Sequence, residues 1–255
     1  MMSALLSLHG VGKAFGGIHA VRDVSLDVAA GTVFSIIGPN GAGKTTMFNL
    51  ISGVSRPDSG SIRFDGRDLA AVPQHRIVRL GIGRTFQNLA LFRDETVREN
   101  LLAGCHVHMR SDVLSASLRL PRARRAEAQA LDDAELIIEL LDLAALRHVR
   151  VGTLSYGMQK RVELGRALAT RPKLLLLDEM VSGMNQEETA EIARLILYIN
   201  QTLAITILMI EHDMSIVMDI SDRIAVLNFG SKIAEGTPAA IAADPAVIDA
   251  YLGRA

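Results

Sequence analysis

The run Gly38-Pro39-Asn40-Gly41-Ala42-Gly43-Lys44-Thr45 sets a lysine and a hydroxyl directly behind a glycine-rich stretch. It satisfies the pattern G-x-x-x-x-G-K-[ST] at every position, and the pattern has a physical basis. Glycine permits backbone conformations that other side chains block, so the chain can wrap closely around phosphate oxygens. Successive N–H groups then point inward, and a helix beginning near Gly43 adds the positive end of its dipole. Lys44 is placed to reach the β- and γ-phosphates and the Thr45 hydroxyl to ligate Mg²⁺, with Thr46 extending the cradle by one residue. These residues predict bound ATP with its Mg²⁺.

A second feature follows a wholly apolar run. Leu174-Leu175-Leu176-Leu177-Asp178-Glu179 brings two carboxylates to the C-terminal end of a buried strand, the end at which open α/β sheets bind ligands. Asp178 there would hold Mg²⁺, directly or through water, and Glu179 would orient and polarise the attacking water. An acidic pair alone reads more readily as a solvated cap. The complete phosphate loop upstream favours the catalytic reading. Further along, Leu154-Ser155-Tyr156-Gly157-Met158-Gln159 precedes a helix. Ser155 is a good N-cap, which accounts for the serine but not for Gly157.

These groups need a scaffold. In the first third, Leu5–Leu8, Ser25–Val28, Thr32–Ile37 and Ser59–Asp65 read as strands separated by Gly16-Gly17, Ala30-Gly31 and Asp65-Gly66, with a helix over Lys44–Ser52. From about Glu95 to Leu143 the pattern is helical, broken by the basic, proline-containing run Arg119–Arg125, with an apolar stripe over Glu135–Leu143. The last third returns to alternation: strands at Leu174–Leu177, Ile205–Ile210, Ile224–Leu227 and Lys232–Ala234, a helix over Gln186–Asn200, and short helices around Pro245. The apolar runs fit strands covered on both faces. An α/β core with an inserted helical lobe is expected.

On these residues the chain resembles the ATP-binding cassette (ABC) family, whose signature is similar to Leu154–Gln159. The resemblance extends over almost the whole length. It implies a P-loop NTPase core of RecA-like type with an N-terminal antiparallel β subdomain and an inserted helical subdomain. Residues 1–87 and 172–255 would form the first part and about 88–171 the second, within one ABC ATPase domain. It implies that Phe15 stacks on adenine, that Gln87 senses Mg²⁺ and the γ-phosphate, and that His212 lies near the γ-phosphate. Ser182-Gly183-Met184-Asn185 would touch a partner subunit. Ser155 and Gly157 would contact the nucleotide held by a second cassette, in a head-to-tail homo- or heterodimer. A second phosphate-binding motif is reasonable if it serves the partner's nucleotide, since Lys44 already marks one phosphate site. The segments Arg84–Phe92, Ile210–Met214, Ala234–Pro238 and Ala250–Gly253 resemble the ATP-binding subunits of branched-chain amino-acid importers, with importers of urea and short amides and lipid or lipopolysaccharide exporters as alternatives. The implied partners are membrane permease subunits and, indirectly, a periplasmic or external binding protein.

The chain departs from the family pattern at three places. Met180 follows the acid pair where proline is usual, Gln186 ends the Ser182–Gln186 loop where proline is also usual, and Met158 replaces a glutamine. Losing fixed φ angles beside Glu179 is expected to loosen that loop.

The bulk numbers bound the function. With 27 basic and 28 acidic residues among 255, there is no electrostatic case for a nucleic-acid partner. Cys105 is the one cysteine, so no internal disulfide forms, as suits a reducing compartment. The apolar stretches near Ile192–Ile199 and Leu203–Ile210 are too short to cross a bilayer as helices. A peripheral location on the cytoplasmic side of the inner membrane, through permease partners, is expected. The Arg119–Arg125 run reads as a solvated helix start, with permease or lipid headgroups as the other reading.

Overall fold

The computed structural model describes residues 4–85, 89–108 and 121–252. The chain divides into two compact units, Met1–Ile77 with Lys173–Ala255, and Val78–Pro172. The second starts upstream of residue 88, where the sequence pattern places the lobe.

The first unit holds two sheets. In one, β1 (Ala4–Phe15) and β2 (Ile18–Ala29) form an antiparallel hairpin, followed by β4 (Ser59–Phe64) and β5 (Arg67–Asp68), in the order β2-β1-β4-β5. Gly16 and Gly17 make its turn at φ 52° and 86°. Positive φ at both central positions matches the twist of the flanking strands, and glycine adopts it without strain. This pairing extends the first strand well past Leu8, the boundary suggested by the sequence. The reason is that Val11, Lys13, Ala14 and Phe15 continue to pair with β2 through several register shifts.

The other sheet runs in the order β10-β9-β3-β8-β7 within this unit. Its members are β3 (Val33–Ile37), β7 (Leu174–Asp178), β8 (Thr206–Ile210), β9 (Arg223–Asn228) and β10 (Ser231–Gly236). Strands β7, β8, β3 and β9 are parallel neighbours, and β10 turns back antiparallel to β9. Every residue of β3, β7 and β8 is buried, as for parallel strands covered by helices on both faces. Burial at roughly 25 cal/mol per Å² of apolar surface makes such strands the main source of cohesion.

The helices follow the expected alternation. They are α1 (Lys44–Ile51), α6 (Gln186–Leu203), α7 (Met214–Ile220), α8 (Pro238–Ala242) and α9 (Pro245–Leu252) in the first unit. α6 opens on a reciprocal cap, with Asn185 accepting from the Glu188 N–H and Glu188 accepting from the Asn185 N–H. Gln186 is therefore held as the first helical residue without proline.

The second unit carries β6 (Ile82–Arg84), α3 (Val97–Cys105), α4 (Pro121–Leu140) and α5 (Tyr156–Leu168). A further helix, α2 (Gln74–Leu80), precedes β6 and, like β5 and β6, gave no clear signal in the sequence. Thr96 and Glu99 cap α3 reciprocally. Gly104 and Gly165 sit where an added Cβ would lie 2.4 Å from the Arg166 carbonyl oxygen and 2.8 Å from Leu141 Cδ1, so the helices pack at closest range. α4 begins at Pro121, a favoured first-turn residue, with Arg124 and Arg125 exposed. Arg119 lies outside the described residues.

Candidate functional site

Register decides which functional groups lie together. Ile210 of β8 is paired with Asp178 on one side and Ile36 on the other, and Ile36 with Ala225 of β9. This row marks the C-terminal ends of β7, β8 and β3, while β9 runs on to Asn228. Directly beyond it emerge the Gly38–Thr45 loop from β3, Glu211-His212 from β8 and Glu179 from β7. Residues 38, 179 and 212, far apart in sequence, therefore share one edge because adjacent strands end in step.

The phosphate loop is gripped from behind. A Cβ on Gly38 (φ 150°) would lie 2.1 Å from the Leu227 carbonyl oxygen, and one on Gly43 (φ 101°) 2.2 Å from that of Ala20. The Gly230 N–H donates to the Ala42 carbonyl (3.1 Å) and the Arg22 N–H to the Gly230 carbonyl (2.7 Å). The β9–β10 turn and β2 thus act as a backbone mould in which only glycine fits at 38 and 43. Pro39 is half-buried, Asn40 and Gly41 are exposed, and Ala42 is buried. Thr45 is exposed and Thr46 half-buried on the first turn of α1.

Lys44 is buried, and its Nζ donates to the carbonyls of Gly38 (2.6 Å) and Pro39 (3.1 Å). Burial pulls its pKa below the ordinary lysine value, while the carboxylates of Glu179 and Asp178 act the other way. The ammonium therefore spans the mouth of the loop in the field of both acids. Asp178 is buried and Glu179 half-buried. Glu179 Oε1 and His212 Nε2 are 2.6 Å apart. A carboxylate can only accept, so with Glu179 ionised the Nε2 carries the proton and donates. Glu179 adopts φ 50°, a left-handed conformation that is strained for a residue with a side chain. It is fixed by its N–H donating to the Ile210 carbonyl (2.9 Å).

The donor set suits a metal carried by a nucleotide. Thr45 and Asp178 offer a hydroxyl and a carboxylate, hard oxygens of the kind Mg²⁺ takes alongside phosphate and water. Among the described residues, no group of three His, Cys, Asp or Glu forms an all-protein metal cage. Gln87, expected as a further ligand, lies outside the described residues.

Phe15 ends β1 with half its surface exposed, and Lys13 Nζ stands 5.4 Å from its ring centroid. Lys13 also pairs with Asp58 at 2.7 Å, and Asp58 accepts from the Ala14 N–H at 2.8 Å. An open aromatic face at this position can receive a flat ring.

In the second unit Ser155 is exposed and caps α5, its hydroxyl accepting from the Met158 N–H at 3.4 Å. Gly157, half-buried, occupies the first turn. The serine is thus an N-cap at an open helix start, where N–H groups and the dipole favour an anion. Behind it Lys160 and Glu163 form a buried pair at 3.7 Å. Cys105 is a buried residue of α3 whose thiol burial pushes up to about 11, which suits packing and not reactivity.

Two groups at this edge escaped the sequence reading. Glu211 is buried between Ile210 and His212, and one carboxylate oxygen accepts from the Val181 N–H at 3.3 Å. Burial pushes its pKa up to about 7, opposed by the backbone N–H groups of Val181 and Met180. The available signal was a charged residue flush against a wholly apolar strand. Met180 itself is fully buried. Tyr251 of α9 is the second group, near enough to Gly38 for that N–H to favour its ionised form, although burial raises its pKa overall.

Comparison with known proteins agrees with this geometry. The ABC transporter family model matches residues 21–182, and that of the branched-chain amino acid ATP-binding cassette transporter matches residues 231–255. The chain is 44% identical over 255 residues, the full length of both proteins, to the high-affinity branched-chain amino acid transport ATP-binding protein BraF of Pseudomonas aeruginosa. It has the same identity and coverage with LivG of Escherichia coli K12, which carries the same description. The solved ADP conformation of an ATP-binding cassette of an ABC transporter superposes with a TM-score of 0.86 at 34% identity, covering 99% of this chain and 100% of that one. The chain belongs to the ABC transporter family, as an ATPase subunit with the P-loop cassette fold.

Proposed function

We propose that this chain hydrolyses ATP to power import of branched-chain amino acids through a membrane permease. The observation that carries the cargo is the match of residues 231–255 to the branched-chain cassette. No described helix is long and apolar enough to cross a membrane, so the translocation path belongs to permease partners. Attachment to them places the chain on the cytoplasmic face of the inner membrane. An external binding protein would present the cargo to the permease.

In the proposed reaction the Gly38–Thr46 loop wraps the phosphates, Lys44 neutralises the β- and γ-oxygens, and Phe15 stacks on adenine. Mg²⁺ bound with ATP would supply charge neutralisation to the phosphates. Thr45, Asp178 and Gln87 are its proposed ligands. Glu179 takes a proton from the attacking water, and His212 holds that carboxylate through the 2.6 Å contact. Ser155 and Gly157 are proposed to meet the γ-phosphate bound by a second cassette. ATP then favours the closed pair and hydrolysis releases it.

The test is reconstitution with a branched-chain permease pair and binding protein in vesicles containing ATP. Leucine uptake that requires ATP supports the reading. ATP-driven uptake of urea or short amides instead, or export of a lipid, would overturn the cargo while leaving the ATPase in place.

A further inference from the structure

Three consecutive residues at the end of β8 each hold a different part of the acid loop. The Ile210 carbonyl accepts from the Glu179 N–H at 2.9 Å. The Glu211 carboxylate accepts from the Val181 N–H at 3.3 Å and also faces the N–H of Met180. The His212 ring meets the Glu179 carboxyl at 2.6 Å. Between the first and third contacts the chain must turn through the left-handed conformation of Glu179, at φ 50°.

A glutamate has no tendency to hold that conformation unaided. The residues after it, Met180 and Val181, are buried, so their N–H groups need an acceptor from the protein. Glu211 accepts from Val181 and faces the N–H of Met180, and it is itself buried. The burial of a carboxyl group here is unfavourable unless its oxygens are matched by donors, and these backbone N–H groups offset part of that cost.

We propose that Glu211 is a positioning residue for hydrolysis: its carboxylate clamps the Met180–Val181 backbone and so fixes Glu179 against His212. This deepens the proposed role of Glu179 as general base and rests on it. It also assigns a consequence to Met180, because a proline there would present no N–H to the clamp.

The test compares Glu211→Ala, Glu211→Gln and Met180→Pro in the full chain, with Glu179→Gln as benchmark. Steady-state hydrolysis, affinity for a fluorescent ATP analogue and thermal unfolding are measured at one chain concentration. Glu211→Ala is expected to lower kcat about 10- to 100-fold, as for a catalytic group displaced by about 1 Å. Nucleotide affinity is expected to stay within about twofold, because the phosphate loop is held by other contacts. Glu211→Gln, which keeps an acceptor oxygen, is expected to recover most of the rate. Unchanged kcat in folded Glu211→Ala, or kcat and affinity falling together without rescue by glutamine, overturns the proposal.

If the alanine variant does not fold, Met180→Pro and Glu211→Gln carry the test. The proline, which removes an N–H facing the clamp, is expected to slow turnover, while the glutamine, which keeps an acceptor, is expected to stay near the parent rate. Unchanged kcat in folded Met180→Pro, or an equal loss in both variants, overturns the proposal. Normal hydrolysis by Glu179→Gln would instead overturn the general-base reading itself, a result distinguishable from failure of the clamp.

Discussion

At the sheet edge of the first unit, the polar groups that bear on chemistry hold one another. Lys44 binds the carbonyls of its own loop, His212 meets Glu179, and Glu211 grips the backbone beyond it. In the second unit, the Ser155 segment is an exposed helix start whose hydroxyl does no more than cap α5. The first region is held by its own polar contacts, the kind of fixed arrangement through which electrostatic preorganisation lowers a barrier. The second presents N–H groups and a dipole to solvent. Under the proposed shared site, it takes a catalytic role when another molecule supplies the phosphate.

That contrast can be broken most directly at Glu179. Glu179→Gln is expected to reduce phosphate release by about 10²- to 10⁴-fold, the usual contribution of a general base, while ATP binding and ATP-dependent self-association persist. Gel filtration with ATP, alongside phosphate release, checks both halves. Retained turnover would show that the preorganised edge is not the reacting one.

Lys44→Ala should act on binding as well. Loss of charge-assisted contacts worth about 1.5–3 kcal/mol weakens nucleotide affinity roughly 10- to 100-fold, measurable by equilibrium titration. Affinity within twofold of the parent chain would remove Lys44 from the cradle.

Ser155→Ala sharpens the other side. Loss of the cap should cost about 1 kcal/mol of stability, yet hydrolysis should fall about tenfold or more. Mixing this variant with Lys44→Ala is the decisive form. Each mixed pair would contain one intact composite site, so activity should rise above either parent, toward about a quarter of the unsubstituted chain in a symmetric dimer. No recovery in demonstrably mixed dimers would count against a shared site.

The same edge can also be tested through pH. Glu211 has its pKa raised by burial from 4.5 to about 7. The folded state then holds this proton more tightly than the unfolded one. The resulting stability is complete below about pH 4.5 and is lost as pH rises through 7. Relative to Glu211→Gln, the unsubstituted chain should lose up to about 3 kcal/mol of unfolding free energy across that window. Denaturant titrations at several pH values would reveal it. A flat difference would mean that the carboxyl is not desolvated at this edge.

Much of the site was legible because its chemistry is local. The glycine spacing at 38, 41 and 43, the Lys44-Thr45 pair and the carboxylates after Leu174–Leu177 each state their purpose within ten residues. The apolar runs of β3, β7 and β8 likewise announced buried parallel strands. Less legible were β5 and β6, too short to show a period, and α2, whose single buried residue, Ile77, leaves no apolar stripe. The clamp at Glu211 was invisible because its partners, Met180 and Val181, lie some thirty residues away and contribute only backbone N–H groups, which no side-chain pattern encodes.

The sequence by itself determined that a nucleotide's phosphates would be cradled between a strand and a helix, since glycine, lysine and threonine act there through conformations and charges they carry anywhere. Only the tertiary structure decided that Glu179 would sit in a left-handed turn against His212, and that Leu227 and Ala20 would leave room for nothing larger than glycine at 38 and 43. Those outcomes depend on strand register. A row running from Asp178 through Ile210 to Ile36 aligns three strand ends, and alignment between distant segments is set by how their apolar faces pack together.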